Sequence, residues 1–252
     1  MASESVNVEG AKVTLYWLEK SRAQRILWLL EEAKAPYELK TYKRGKDFLA
    51  DPELKKIHPL GKSPIISVES PATTKPVVLA ESGLITEYIS EYFGPWLIPR
   101  KYQEGKEGQI GGETEAFLRY RYYMHYAEGS LMSFLLITFF IDRMRSGSPI
   151  FIRPIVNMIT GKIESFYTAP NFTRHFDFLE SQLATSGGDF LCGKEITGAD
   201  ILMSFPIEWA GFDKTKYPKC AAYLKTMHER DAYKKSIQKI IDVEGSYDPG
   251  TK

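Results

Sequence analysis

The sequence predicts a small α/β domain followed by an all-helical domain. Three observations lead there. Over residues 1–94, short runs rich in β-branched and aromatic residues alternate with segments whose apolar residues recur at helical spacing. Residues 94–112 break the pattern with Gly, Pro and charge. Beyond them only the helical period continues, so the second half has the pattern of a helix bundle.

The elements follow in order. Residues 13–18 (Val-Thr-Leu-Tyr-Trp-Leu) have strand composition. Residues 21–33 put Ala23, Ile26, Leu27, Leu30 and Ala33 on one helix face. A second strand is expected at 36–42 and a short helix at 48–57. Strands at 65–68 and 77–79 flank the turn-rich stretch 70–76, and a helix at 82–93 stacks Ile85, Ile89 and Phe93. The order is β-α-β-α-β-β-α. A long helix, straight or kinked, is expected over 113–145, broken by Ser146-Gly147-Ser148-Pro149. Further helices are expected at 152–167, 171–184, 199–209, 217–230 and 233–241. The domains are then 1–94 and 113–252, with 95–112 as linker.

Composition narrows the function. With 252 residues, 43% hydrophobic and 26% charged, the chain can bury a sizeable core unaided. A net charge of +1 provides no bulk attraction for nucleic acid or an anionic membrane; no nucleic-acid partner is expected, and any membrane contact is expected to be peripheral. The pairs Lys43-Arg44, Lys55-Lys56 and Lys234-Lys235 have acidic neighbours and read as solvated faces. Cys192 and Cys220 form no CxxC pattern, and a reducing compartment is expected. His58, His125, His175 and His228 are scattered, so no metal site is expected. The first ten residues are polar and lack the apolar stretch of a signal peptide. Residues 131–141 are apolar, but a bilayer needs about twenty residues, so a buried helix is expected rather than a transmembrane segment.

The chemistry concentrates in His58-Pro59-Leu60-Gly61-Lys62-Ser63-Pro64 and Glu81-Ser82-Gly83. Lys62 offers a cation, although a solvated surface lysine is the ordinary reading. Ser63-Pro64 is an X-Pro step, and such bonds are trans in most folded cases. A cis bond would turn the Ser63 N–H and C=O toward a strand-like ligand. Glu81 could meet an ammonium group. Ser82 opens a helix, whose N-terminus attracts a carboxylate; the same serine could simply cap it, without a capping box because Ile85 follows. Ser21-Arg22-Ala23-Gln24 matches the capping box. That structural role is compatible with catalysis, because a hydroxyl can accept from the helix and still donate outward. A thiolate there would have its pKa lowered by the helix dipole. Thr197-Gly198-Ala199-Asp200 is a second capping box, read as structural. Tyr120, Tyr122, Tyr123 and Tyr126 are expected mostly in the core, with one or two available to line a pocket.

On these segments the chain resembles the cytosolic-type glutathione transferases along nearly its whole length. Residues 15–25 resemble the serine-type, theta-like members. Residues 58–64 resemble their Asn-Pro-x-x-Lys-Val-Pro segment, and 81–85 their Glu-Ser-x-x-Ile segment. Glu128-Gly129-Ser130 and residues 197–206 are most similar to a fungal group that includes a yeast enzyme associated with the endoplasmic reticulum. The resemblance implies a thioredoxin-like α/β N-terminal domain, an all-α C-terminal domain that builds the electrophile pocket, a homodimer, and glutathione as cosubstrate without a metal. It implies that Lys62 holds the glycine carboxylate, while Ser63, beside cis-Pro64, pairs its backbone with the cysteinyl unit. Glu81 meets the γ-glutamyl ammonium and Ser82 its carboxylate. Ser21 donates to the sulfur; Tyr16 and Arg22 are the alternatives, and the spacing of Ser21 to Arg25 favours Ser21. His58 and Ser63 stand where Asn and Val are usual. Lys43, Arg44 and Lys46 are all candidates for a second contact to the glycine carboxylate.

The expected function is a glutathione transferase that attacks small apolar electrophiles, with peroxidase side activity and a place in detoxification and oxidative stress. The expected location is the cytoplasm, with peripheral contact at the endoplasmic reticulum as an accompanying expectation. The rival class is a non-catalytic glutathione carrier or regulator on the same fold. A thiol transferase is disfavoured because Ser21 occupies the helix start where that chemistry needs a cysteine.

Overall fold

A computed structural model describes residues 8–248. The expectation about a signal peptide therefore falls largely outside the described residues. The strands are β1 (Lys12–Leu18), β2 (Tyr37–Tyr42), β3 (Ile65–Glu69) and β4 (Val77–Ala80), in the order β2-β1-β3-β4. β1 and β2 are parallel, while β3 is antiparallel to both β1 and β4. Helices α1 (Ala23–Glu32) and α2 (Ser82–Tyr92) cover one face of this sheet. Alternation along β1 aims Val13, Leu15 and Trp17 into the main core, and Tyr16 and Leu18 into a small cluster on the other face.

The helix expected over 48–57 is replaced by a turn and a short 3-10 segment, Pro52–Lys56, capped by Asp51. Pro52 holds Asp51 extended (ψ 127°), and Phe48 has φ 63°, so no helix can run through 48–51.

The helical half contains α3 (Glu115–Tyr126), α4 (Ser133–Gly147), α5 (Arg153–Ile163), α6 (Ala169–Thr185), α7 (Gly198–Ala210), α8 (Pro218–Glu229) and α9 (Asp231–Glu244). A π-helical segment, Ala127–Met132, fuses α3 and α4 into one helix of 33 residues. Another, Glu164–Thr168, fuses α5 and α6, where two separate helices were expected. Pro170 cannot donate a backbone hydrogen bond, and the π turn absorbs the defect while Asn171 Nδ2 donates to the Tyr167 carbonyl at 2.7 Å.

Residues 131–141, expected to be too short to span a bilayer, are thus part of a helix of 33 residues that is long enough. By length and composition alone this helix could cross a bilayer, as some core helices could, and 44% of its most apolar window is buried in the protein. Ile150 and Phe151, at the α4–α5 turn, are 79% and 80% exposed, and Phe166, in the π segment at the other end of α5, is 86% exposed.

The core is continuous between the halves, with α7 at its centre. The expected capping box is present: Thr197 accepts from the Asp200 N–H, and Asp200 accepts from the Thr197 N–H at 2.9 Å. Gly198 is needed for close approach, since a Cβ there would lie 2.7 Å from Ser90 Oγ on α2. Helix α9 lies along α1, with Trp28 edge-on to Tyr233, and Arg230 and Lys235 paired with Glu32 and Glu31. Tyr120, Tyr123 and Tyr126 are buried and Tyr122 is half-exposed.

Candidate functional site

Sheet register assembles the site. Ile65 pairs with Tyr16 on one side and Ala80 on the other. Beyond this row lie the end of β1 leading to Ser21, the Lys62-Ser63-Pro64 approach to β3, and the Glu81-Ser82 exit from β4. Residues far apart in sequence therefore meet at one end of the sheet, beside the N-termini of α1 and α2.

Ser21 Oγ donates to the Leu18 carbonyl at 2.7 Å, accepts from the Ala23 N–H at 3.1 Å, and lies 3.5 Å from Ser63 Oγ. The expected capping box does not form. The helix starts at Ala23, and buried Gln24 instead accepts from the Trp17 indole at 3.0 Å and donates to Ser236 Oγ at 3.2 Å. A core indole N–H needs an acceptor, and Gln24 is the side chain within reach. Ser21 keeps an ST-turn contact to the helix start, and its proton can rotate toward a ligand.

Ser63 Oγ donates to the Tyr16 carbonyl at 3.2 Å, and the Ser63-Pro64 peptide is cis. This agrees with the resemblance and departs from the bare X-Pro preference. Among the described residues, neither the Ser63 N–H nor its C=O has a backbone partner. Lys62 is exposed beside it. Glu81 has φ 75° and ψ 119°, a strained geometry for a non-glycine residue. Ser82 is buried as the first residue of α2 rather than its cap, so the α2 N-terminus has no side-chain cap. Its open N–H groups suit an anion.

The two alternatives to Ser21 are engaged elsewhere. Tyr16 lies on the sheet face opposite α1, with its hydroxyl 3.2 Å from Ser67 Oγ and its ring against Tyr42. Arg22 pairs with Glu128 at 2.5 Å. Of the candidates for the glycine carboxylate, Lys43 pairs with Glu244 at 3.1 Å. Arg44 donates to the carbonyls of Glu19, Lys20 and Phe48, and Lys46 is exposed.

Single-residue reading did not find what lies behind Ser21. Buried Arg25 also pairs with Glu128, and donates from Nη1 to the Leu202 carbonyl at 2.8 Å. That carbonyl lacks its helical donor because the residue four on is Pro206. Burial pushes the Arg25 pKa down. For Glu128 burial works toward a higher value, but the two guanidiniums outweigh it and hold the carboxyl below the usual range. The pair of signals available in the sequence was Pro206 inside an apolar helical pattern and Glu128, the lone acid between Glu115 and Asp142.

A depressed carboxyl contributes stability that is complete above its unfolded pKa, near 4.3, and is lost as pH falls through the folded value. Glu128→Gln is therefore expected to cost about 2 kcal/mol at pH 7 and progressively less below about pH 4. Urea unfolding at both pH values checks this; an equal loss at both would remove the electrostatic role.

Comparison with known proteins places this geometry. The sequence profiles for the N-terminal and C-terminal domains of glutathione S-transferase match residues 11–91 and 169–226. Glutathione S-transferase 1 of Saccharomyces cerevisiae is 36% identical over 233 residues, covering 90% of this chain and 94% of that protein. Glutathione S-transferase 3 of Schizosaccharomyces pombe is 32% identical, covering 91% and 88%. A crystal structure of a glutathione S-transferase from Actinobacillus pleuropneumoniae superposes with a TM-score of 0.63 at 28% identity, covering 90% and 92%. A glutathione transferase from Phanerochaete chrysosporium, solved with oxidized glutathione, shares the fold at TM-score 0.65 and 18% identity, covering 97% and 99%. With two fungal relatives aligned over most of its length, and the fold shared with transferases of known structure, this chain is an enzyme of the glutathione S-transferase family.

Proposed function

We propose that this enzyme binds glutathione at the end of the sheet, lowers the pKa of its thiol and presents the thiolate to a small apolar electrophile. The observation that supports this best is the convergence of Ser21, the unpartnered backbone of Ser63 and the uncapped start of α2. Ser63 offers free backbone groups to the cysteinyl unit. Glu81 and Ser82 face the γ-glutamyl ammonium and carboxylate, Lys62 the glycine carboxylate, and Ser21 the sulfur. A thiolate held there feels the positive end of α1. Glutathione also occupies a fold-related transferase from Sulfitobacter. The same thiolate reducing a hydroperoxide would be the peroxidase side activity.

Calorimetric titration with glutathione, alongside conjugation of an aryl halide and turnover of a hydroperoxide, tests the reading. The double variant Lys62→Ala, Glu81→Gln is expected to weaken glutathione at least about tenfold, through loss of two charge-assisted contacts. Binding without any turnover would favour a carrier, and no binding would remove the site.

Exposed Leu84 and Tyr92 on α2, with Leu118 and Tyr122 on α3, support a homodimer, to be read as twice the chain mass in sedimentation equilibrium. The proposed location is cytoplasmic. The apolar α4–α5 turn is the surface that a peripheral contact with the endoplasmic reticulum would use, and fractionation of cells carrying Ile150→Ser and Phe151→Ser tests it.

A further inference from the structure

An aromatic and cationic wall joins the N-terminal domain to the helical domain through a loop tied to Lys20, the residue before Ser21. Phe48 stands 59% exposed on the loop after β2. Arg44 fixes this loop: Nη1 donates to the Phe48 carbonyl at 2.9 Å, and Nη2 to the carbonyl of Lys20, the residue before Ser21, at 3.1 Å. From the end of α4 the Arg143 guanidinium lies 5.3 Å from the Phe48 ring centre and 5.5 Å from that of Phe139, one turn back on its own helix. Phe139 in turn contacts Trp209 of α7, with ring centres 5.5 Å apart.

Arg143 is exposed and has no ion pair among the described residues. Its neighbours on the wall are two rings, which attract the cation through their faces but leave the N–H edges available. A guanidinium edge matches a carboxylate bidentately. Flat apolar walls with one such edge select a planar molecule carrying an anion at one end.

We propose that Arg143 is a specificity-determining residue that binds the anionic group of a planar aryl electrophile, with its reactive carbon toward the sulfur held by Ser21. This rests on the transferase reading of the same site. In the step itself the thiolate sulfur forms a bond to the ring carbon, and a halide leaves with the electron pair of the broken bond.

The test compares 4-chloro-3-nitrobenzoate with 4-chloro-3-nitrobenzamide in the wild type, Arg143→Met and Arg143→Lys. Methionine retains length and removes charge; lysine retains charge and removes the fork. The carboxylate-over-amide ratio of kcat/KM is expected to fall about tenfold in Arg143→Met, through KM, and only partly in Arg143→Lys. It should also fall with salt in the wild type alone among wild type and Arg143→Met. An equal loss for both substrates, or no loss for either, overturns the proposal. A second readout does not need turnover: equilibrium dialysis of unreactive 3-nitrobenzoate with glutathione present. If neither chloronitro substrate turns over, the aryl-halide assignment falls. The anion-binding role of Arg143 then stands if the benzoate binds about tenfold more weakly to Arg143→Met, and falls if the two proteins bind it alike.

Discussion

Ser21→Ala is expected to lower kcat/KM for conjugation by about a hundredfold near neutral pH and to raise the apparent pKa of the pH–rate profile. The magnitude is that of removing one preorganised donor from a developing or resident anion. The direction follows from which form the hydroxyl serves. It donates to a thiolate but has much less to offer a thiol, so its removal disfavours the charged form and moves ionisation back toward the ordinary thiol value near 8.5. Part of the lost rate should therefore return as pH rises above the new pKa.

The variant should still fold. Ser21 contributes contacts to the Leu18 carbonyl and the Ala23 N–H, and loss of such a cap-like contact costs about 1 kcal/mol. Ser21→Thr retains the hydroxyl and should recover most of the rate. A pH–rate profile that stays in place in Ser21→Ala would shift the role to Arg22 or to the backbone N–H groups at the start of α1. Tyr16 is a poor substitute, because its phenol lies on the other face of the sheet with Ser67.

What was legible in the sequence follows from how locally each feature is encoded. The strands and α1 carry their own periodicity, while Ser21, Lys62, Ser63, Glu81 and Ser82 are weak signals singly and stand out only by occurring together, in the order the family resemblance picks out. Register then brings them together, and register is a consequence of the apolar alternation in β1 and β3. The failures were non-local. Gln24 looked like half of a capping box because the partner that claims it, Trp17, lies across the β1–α1 turn and its other partner, Ser236, sits on the last helix. The fused helices depend on π segments, whose extra residue has no composition signal beyond Gly129 and Pro170. The Arg22–Arg25–Glu128 cluster and the Phe48–Arg143 contact join different domains, and no spacing rule within one element can produce them.

Asp200→Ala is expected to destabilise the enzyme by about 3–5 kcal/mol, and the loss should depend on pH in an unusual sense. Asp200 is fully buried; one carboxyl oxygen accepts from the Leu191 N–H at 2.8 Å, and the other from the Thr197 N–H at 2.9 Å. Alanine leaves two buried donors unpaired, each costing about 1–3 kcal/mol, and also removes half of the capping box that starts α7. Burial pushes the Asp200 pKa up to about 6 against these hydrogen bonds. Thr197 Oγ1, 2.6 Å from the carboxyl, can accept once that carboxyl is protonated. In the window between about pH 4, the unfolded value, and about pH 6, the folded protein holds a proton that the unfolded chain has released. Stability from this group is therefore fully present below the window and declines as pH rises through it. The gap between wild type and Asp200→Ala should be widest near pH 4 and narrow toward pH 6. Urea unfolding across that range measures it, with Asp200→Asn retaining part of the stability through one acceptor oxygen. A gap that is flat with pH would mean that the hydrogen bonds hold the carboxylate ionised despite burial. A gap below about 1 kcal/mol would mean that α7 is fixed by its packing alone.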